Sequence, residues 1–193
     1  MKEPSWLMTI CLVVMAGCAV AQTSQPHSAI HQVKLQQETV IQGYPCARGY
    51  ASYYSSGRLA SCAVAKETAF GEATLPERSI ISLLEDGRPQ GAMMAHNTVI
   101  AGAKCGGGNW LLGPSEGAAT GFYPSGKLKI CFFAGDQTVQ GVPCMTAGFI
   151  GMFGDGARRD GGAQFYESGK LKSCTLARDY ASHHRGDRFL QMP

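Results

Sequence analysis

Gly113-Pro114-Ser115-Glu116-Gly117 fits G-x-S-x-G, the pattern that presents a serine nucleophile on a sharp strand-to-helix turn. That chemistry needs a helix after the serine, and an acid and then a histidine further along. Asp136, Asp155, Asp179, His183 and His184 lie downstream, so the chain order is permitted. The surroundings do not suit it: only Ala118, Ala119, Thr120 and Gly121 separate the string from an aromatic strand pattern, which leaves no room for a helix. Cys105-Gly106-Gly107-Gly108, beside Trp110, lacks the Lys and Ser/Thr of a phosphate-binding loop and reads as a connector. Gly154-Asp155-Gly156 and Asp160-Gly161-Gly162 offer too few carboxylates at fixed spacing for calcium and read as turns. His183-His184 read as a surface pair. The cysteines show no C-x-x-C spacing, which disfavours metal binding. The expectation is a chain with no catalytic set, no metal and no cofactor.

The elements that would position any chemistry are repeats. YYSSGRLASCAVAKE (Tyr53 to Glu67), FYPSGKLKICFFAGD (Phe122 to Asp136) and FYESGKLKSCTLARD (Phe165 to Asp179) are three copies of one segment. Each has two aromatics, a turn glycine (Gly57, Gly126, Gly169), a basic residue, a Leu, a Cys and an Ala at fixed offsets. LLEDGRPQGAMMA (Leu83 to Ala95) is a worn fourth copy, with Pro89 for the Leu and Ala92 for the Cys. A second element trails the first: IQGYPC at Ile41 to Cys46, IAGAKC at Ile100 to Cys105 and VQGVPC at Val139 to Cys144, with a remnant near Phe70-Gly71. The stretch Ile30 to Ile41 reads as a half repeat that caps the array.

Internal repetition of this kind decides architecture before any single residue does. Aromatic and branched residues around a small x-Ser-Gly step predict a β-hairpin per copy. Leu and Cys on each return strand lie three apart, so plain alternation would put them on opposite faces. Either a bulge resets the face or both faces are covered. Pro89 predicts that the worn copy's return strand is at an edge or broken.

The string [FY]-Y-x-x-G-[KR]-L at residues 53–62, 122–131 and 165–174, and weakly at 83–92, resembles the bacterial variant of the MORN repeat. The resemblance implies hairpins stacked into a curved antiparallel sheet and an interaction or scaffold role, with no catalytic residues to carry over. Cys stands where that repeat has a polar residue, and the spacers between hairpins are longer and irregular.

Lys2, then an apolar run from Trp6 to Met15, then Ala-Gly-Cys-Ala-Val-Ala-Gln, has the layout of a secretory signal peptide and is too short for a membrane span. Cleavage after Ala21 would make residues 1–21 the signal. Met15-Ala16-Gly17-Cys18 also resembles a lipoprotein box, which would attach a lipid to Cys18 and give the chain its one link to a membrane. Residues 22–31 read as a flexible leader and 32–193 as a single β-repeat domain. Beyond Ala21 the chain has roughly 170 residues, enough for one domain with a sizeable core. With 45% apolar and 16% charged residues the chain is not a disordered one. The fold class expected is all-β: hairpin repeats forming a curved sheet or a small sandwich, stapled by disulfides.

An exported chain with six cysteines beyond the signal points to disulfides. The repeat orders them, since each trailing-element Cys is followed by a hairpin Cys, and the worn copy has lost both members of one such pair, at Leu75 or a neighbour and at Ala92. The pairs expected are Cys46–Cys62, Cys105–Cys131 and Cys144–Cys174.

Arg58, Arg88, Lys127 and Lys170 come directly after the four turn glycines. Stacked in register they would form a ladder able to meet an anionic envelope surface or an acidic protein. The plainer reading is a solvated strand face that also blocks edge aggregation. A net charge of only +3 and an export signal argue against nucleic acid. Of each aromatic pair (Tyr53-Tyr54, Phe122-Tyr123, Phe165-Tyr166) one member should be core. The outward member would either shield a neighbouring strand or, with Trp110 and Phe149, stack on sugars. The function expected is a non-catalytic binding or scaffold module, located in the periplasm, outer envelope or outside the cell, engaging a protein or an anionic surface. A glycan-binding module and, more remotely, a serine hydrolase centred on Ser115 are the alternatives.

Overall fold

The computed structural model describes residues 30–108, 120–146, 162–176 and 189–191. In chain order the strands are β1 (Ile30–Leu35), β2 (Thr39–Ile41), β3 (Tyr44–Tyr54), β4 (Leu59–Val64), β5 (Thr68–Phe70), β6 (Ala73–Leu75), β7 (Ile80–Leu83), β8 (Pro89–Met93) and β9 (Thr98–Ile100). They continue as β10 (Ala103–Cys105), β11 (Thr120–Phe122), β12 (Leu128–Phe132), β13 (Gln137–Val139), β14 (Val142–Cys144), β15 (Gly162–Phe165), β16 (Leu171–Thr175) and β17 (Phe189–Gln191). The fold is all-β and antiparallel. One broad sheet runs β1-β3-β4-β7-β8-β11-β12-β15-β16-β17, with β2 joined to β3. Three further pairs, β5–β6, β9–β10 and β13–β14, form small hairpins of their own.

The broad sheet is built from the four repeat hairpins. In each, the residue before the turn receives a hydrogen bond at its carbonyl from the turn glycine and donates its own N–H to the basic residue after it, as in Tyr54 N–H to Arg58 O and Gly57 N–H to Tyr54 O, both 2.9 Å. The same pair of bonds closes the turns at Leu84, Tyr123 and Tyr166. Gly57, Gly87, Gly126 and Gly169 hold φ between +78° and +87°, which an L-residue enters only at a cost of about 1–2 kcal/mol.

Each return strand then carries one extra residue. Tyr53 faces Leu59 but Ser52 faces Ser61, and the same shift recurs at Leu83–Pro89, Phe122–Leu128 and Phe165–Leu171. The bulge residues are therefore Ala60, Gln90, Lys129 and Lys172. This bulge, rather than a second covering layer, is how Leu59 and Cys62, Leu128 and Cys131, and Leu171 and Cys174 all reach the buried face.

The small hairpins form the second layer. Thr39–Cys46, Thr68–Leu75, Thr98–Cys105 and Gln137–Cys144 each make one, the first by sharing β3. Their tight turns use left-handed pairs at Gln42-Gly43, Ala101-Gly102 and Gln140-Gly141. The last residue of each Cys-bearing hairpin bridges the end of a return strand: Cys46 to Val64, Cys105 to Phe133 and Cys144 to Leu176. Disulfides Cys46–Cys62, Cys105–Cys131 and Cys144–Cys174 tie the layers at the same places, and they are the pairs the repeat register predicts. Closing loops of 16, 26 and 30 residues, each contributes on the order of 3 kcal/mol. One core fills the space between, with Phe70, Leu59, Leu75, Ile81, Leu128 and Phe165 at its centre.

The repeat unit is thus a small hairpin followed by a broad-sheet hairpin, and this corrects several expectations. Phe70-Gly71 is no remnant, since β5–β6 is a full hairpin ending in Leu75 where the others end in Cys. Ile30 to Ile41 holds the place of a half repeat: β1 pairs with β3 as the return strands β4, β8 and β12 pair with β7, β11 and β15, and β2 then opens the first small hairpin. β1 also begins at Ile30, inside the span read as a leader. Pro89 does not put its strand at an edge, because β8 pairs with both β7 and β11; as the first residue of β8, it sits where Pro is tolerated.

In the second unit, buried apolar residues stand at the two cysteine positions. Cys62 faces Ala51 on one side and Ile81 on the other, Cys131 faces Ala163, and Cys174 faces Leu190. Where the cysteines become Leu75 and Ala92, Ala92 faces the same Ile81, which lies between it and Cys62. Gly71 also departs from its equivalents for a reason. A Cβ there would lie 2.3 Å from the Gly126 carbonyl oxygen, whereas Gly43 has nothing within 4 Å.

Gly43→Ala should therefore cost about 1 kcal/mol, from its left-handed backbone alone. Gly71→Ala should cost about 1–3 kcal/mol more, because its backbone must also move. Urea unfolding of the two variants under oxidising conditions measures the difference; equal midpoints would contradict the contact with Gly126. Thr120 offers a second check, as its buried hydroxyl has no hydrogen-bond partner among the described residues. Thr120→Val, the same shape without the hydroxyl, should raise the urea midpoint by an amount worth roughly 1 kcal/mol.

Candidate functional site

Turn geometry places Arg58, Arg88, Lys127 and Lys170 directly after the left-handed glycines, along one edge of the broad sheet. Most of this ladder is already engaged. Asp86, in the second turn, accepts 2.7 Å and 3.0 Å hydrogen bonds from the Arg88 Nε and backbone N–H. The Arg88 side chain and, next, its N–H hold the Asp86 carboxyl below the ordinary aspartate range. Arg58 Nη2 reaches across to the Asp86 backbone oxygen at 3.1 Å and lies against Gly87, so the first two turns are tied together. Lys127 pairs with Glu72 at 3.1 Å, and the other Glu72 oxygen accepts the Leu128 N–H at 2.6 Å. Lys170 is exposed at the fourth turn, where Gln140 of the small-hairpin layer bonds the Gly169 carbonyl and the Leu171 N–H. The structure thus joins Arg58 to Arg88 and ties Lys127 into a cross-layer contact.

The aromatic pairs divide as alternation requires. Phe122 and Phe165 are buried and Tyr53 packs on the core. Of the outward members, Tyr54 donates to the Leu83 carbonyl at 2.7 Å and Tyr123 to the Phe165 carbonyl at 2.9 Å, each reaching the next hairpin. Burial, and then the nearby Glu85 and Asp86, push the Tyr54 hydroxyl up. The bulge lysines fold back over the rings, Lys129 at 5.7 Å from Tyr123 and Lys172 at 5.8 Å from Tyr166. These tyrosines shield and staple neighbouring hairpins.

Between the turn edge and the far strand ends runs a feature the sequence reasoning missed. Ser52, Ser61, Ser82, Gly91, Gly121, Ile130, Gln164 and Ser173 pair one to the next straight across the sheet's outer face. Most are small, which keeps this strip low apart from Gln164 and from Ile130, whose side chain lies over Gly121. A signal was present: the residue four after each turn glycine is Ser61, Gly91, Ile130 or Ser173. Only the bulge puts that position on the outer face.

An open cleft lined by Glu67, Pro76, Glu77, Arg78 and His96 lies apart from this strip. Its charges are mixed, with Arg78 and Glu77 paired at 3.7 Å on exposed side chains. Ser115, Trp110, Phe149, Asp155, Asp160, Asp179, His183, His184 and the lipidation candidate Cys18 lie outside the described residues. Among the described residues no group of three or more His, Cys, Asp or Glu could hold a metal ion, and no helix is long and apolar enough to cross a membrane. Comparison with protein-family models, curated proteins and solved structures finds no match to this chain.

The turn-edge pairing has a measurable signature. Asp86 is ionised and paired with Arg88 above the ordinary aspartate range. Because its folded pKa is depressed, the pairing is lost only as the pH falls through that lower value. A carbon-detected NMR titration should place the Asp86 midpoint below that of an unstructured aspartate, and Arg88→Ala should raise it back. An unshifted Asp86 in the unmodified protein would contradict the geometry.

Proposed function

We propose that this chain is a non-catalytic binding or scaffold module, exported to the cell envelope or beyond, that presents the outer face of its broad sheet to a protein partner. The observation that carries the reading is the small-residue strip across that face, backed by a core that disulfides tie to a second layer. A low, rigid surface of this kind loses little conformational freedom when it docks, which favours protein contact.

Location and partner class fit the same reading. Three disulfides suit an oxidising location, in keeping with an amino-terminal export signal cleaved after Ala21 or a lipid on Cys18. The hairpin repeats are of MORN-like type. An anionic surface is a poorer partner than a protein, since Asp86 and Glu72 already occupy much of the basic ladder. Sugar stacking is poorer too, since lysines cover the Tyr123 and Tyr166 rings.

The test is site-specific photocrosslinking in the native host. A photoreactive residue at Ser82, in the middle of the strip, should trap a discrete protein adduct, while the same residue at Glu77, off the strip, should not. Labelling at neither position, together with binding of the purified protein to anionic vesicles or a glycan array, would overturn the protein-partner reading. A saturable hydrolytic activity lost in Ser115→Ala would overturn the non-catalytic one.

A further inference from the structure

The broad sheet ends at β1, which among the described strands pairs with β3 alone. β1 carries few of the devices that blunt an edge strand. It is six residues long, holds no proline, and keeps unbroken register with β3 from Ile30–Tyr54 to Leu35–Gly49. Residues 30–34 are all exposed. The exposed large hydrophobic side chains also gather here: Ile30 at 59%, Val33 at 42%, Val40 at 69% and Tyr50 at 65% lie on β1, β2 and β3, and only Val99 lies elsewhere among the described residues. An unpaired strand edge offers a row of backbone donors and acceptors, so what it fits is another extended backbone.

The sequence of β1 suits a second copy of itself. His31, Val33 and Leu35 share the core-side face, opposite Tyr53, Ala51 and Gly49, whereas Ile30, Gln32 and Lys34 share the outer face. Two copies related by a two-fold axis normal to the sheet pair antiparallel, and only registers that keep each face on its own side are allowed. Centred on Val33, such a register sets Val33 against Val33, His31 against Leu35 and Gln32 against Lys34. Val33 and His31 then each gain an apolar neighbour, and no two cations face each other. Centring on Gln32 instead would leave Leu35 beyond the paired stretch. The opposite edge strand, β17, spans only three residues. It runs opposite to β1 at the far end of an antiparallel order of ten strands, so β1-to-β17 contact would build an open polymer instead of a closed pair.

We propose that the protein is a two-fold dimer through antiparallel pairing of β1 with β1, centred on Val33, which joins the two broad sheets into one. Sedimentation equilibrium at micromolar concentration, with the disulfides formed, should give the mass of two chains. Val33→Lys, which brings two cations together at the axis, should return one chain with unchanged circular dichroism and thermal unfolding. Val33→Cys should form an interchain disulfide under mild oxidation, and Gln32→Cys should not. A single-chain mass at all concentrations overturns the proposal, as does an open series of higher masses. A dimer that persists in Val33→Lys, or one that crosslinks through Gln32→Cys but not Val33→Cys, overturns it equally.

Discussion

One inserted residue per hairpin governs this architecture. A return strand of plain alternation would send Leu59 inward and Cys62 outward, and likewise in the other Cys-bearing copies. The sulfurs would then face away from the small hairpins, and the two layers would have no covalent tie. The bulge at Ala60, Lys129 and Lys172 lets one strand supply both a large apolar side chain and a cysteine to the same face. It has a second effect on the outer face: it brings Ser61, Gly91 and Ser173 into line with their neighbours and sets Lys129 and Lys172 over tyrosine rings. The core, the disulfides and the outer strip therefore share one local cause.

The second unit shows what the cystine contributes. It keeps the turn, the bulge and the small hairpin but has no disulfide. Leu75 and Ala92, both buried, stand where the other units have cystine. Interior packing tolerates such exchange when total volume is kept. The same unit holds the Gly71–Gly126 contact, and the Glu72 side chain bonds Lys127 and Leu128 of the third unit. A unit without its own covalent staple is thus bound to a stapled one through backbone approach and a carboxylate.

Much of this was legible in the sequence because repetition converts spacing into geometry. Cys46, Cys105 and Cys144 stand at one position of the unit and Cys62, Cys131 and Cys174 at another, so register alone ordered the pairs. What was not legible depended on contacts between units. The β5–β6 hairpin was hidden because Gly71 sits one place earlier than Gly43, Gly102 and Gly141, and its cause is a glycine 55 residues away in another turn. Pro89 misled because a proline penalty applies to a paired N–H, and the first residue of β8 escapes it. The partners of the basic ladder were legible only in part. Asp86 stands two residues before Arg88 and was visible, but Glu72 reaches Lys127 only through the fold.

The candidate surface is set by where the molecule spends its polar groups. At the turn edge, cations meet carboxylates and backbone oxygens within the chain, which leaves little field to draw an anionic partner. On the outer face the Tyr54 and Tyr123 hydroxyls are used between hairpins, and Lys129 and Lys172 lie over ring faces. What remains unspent is backbone at β1 and a low strip of serine and glycine across the sheet. Both favour contact with another polypeptide, because one offers hydrogen bonds only an extended chain can match and the other offers a low surface with few side chains to immobilise. A repeat array built this way closes its interior by covalent ties between layers, and the proposed contacts rest on the two features those ties leave exposed, the broad face and the first strand.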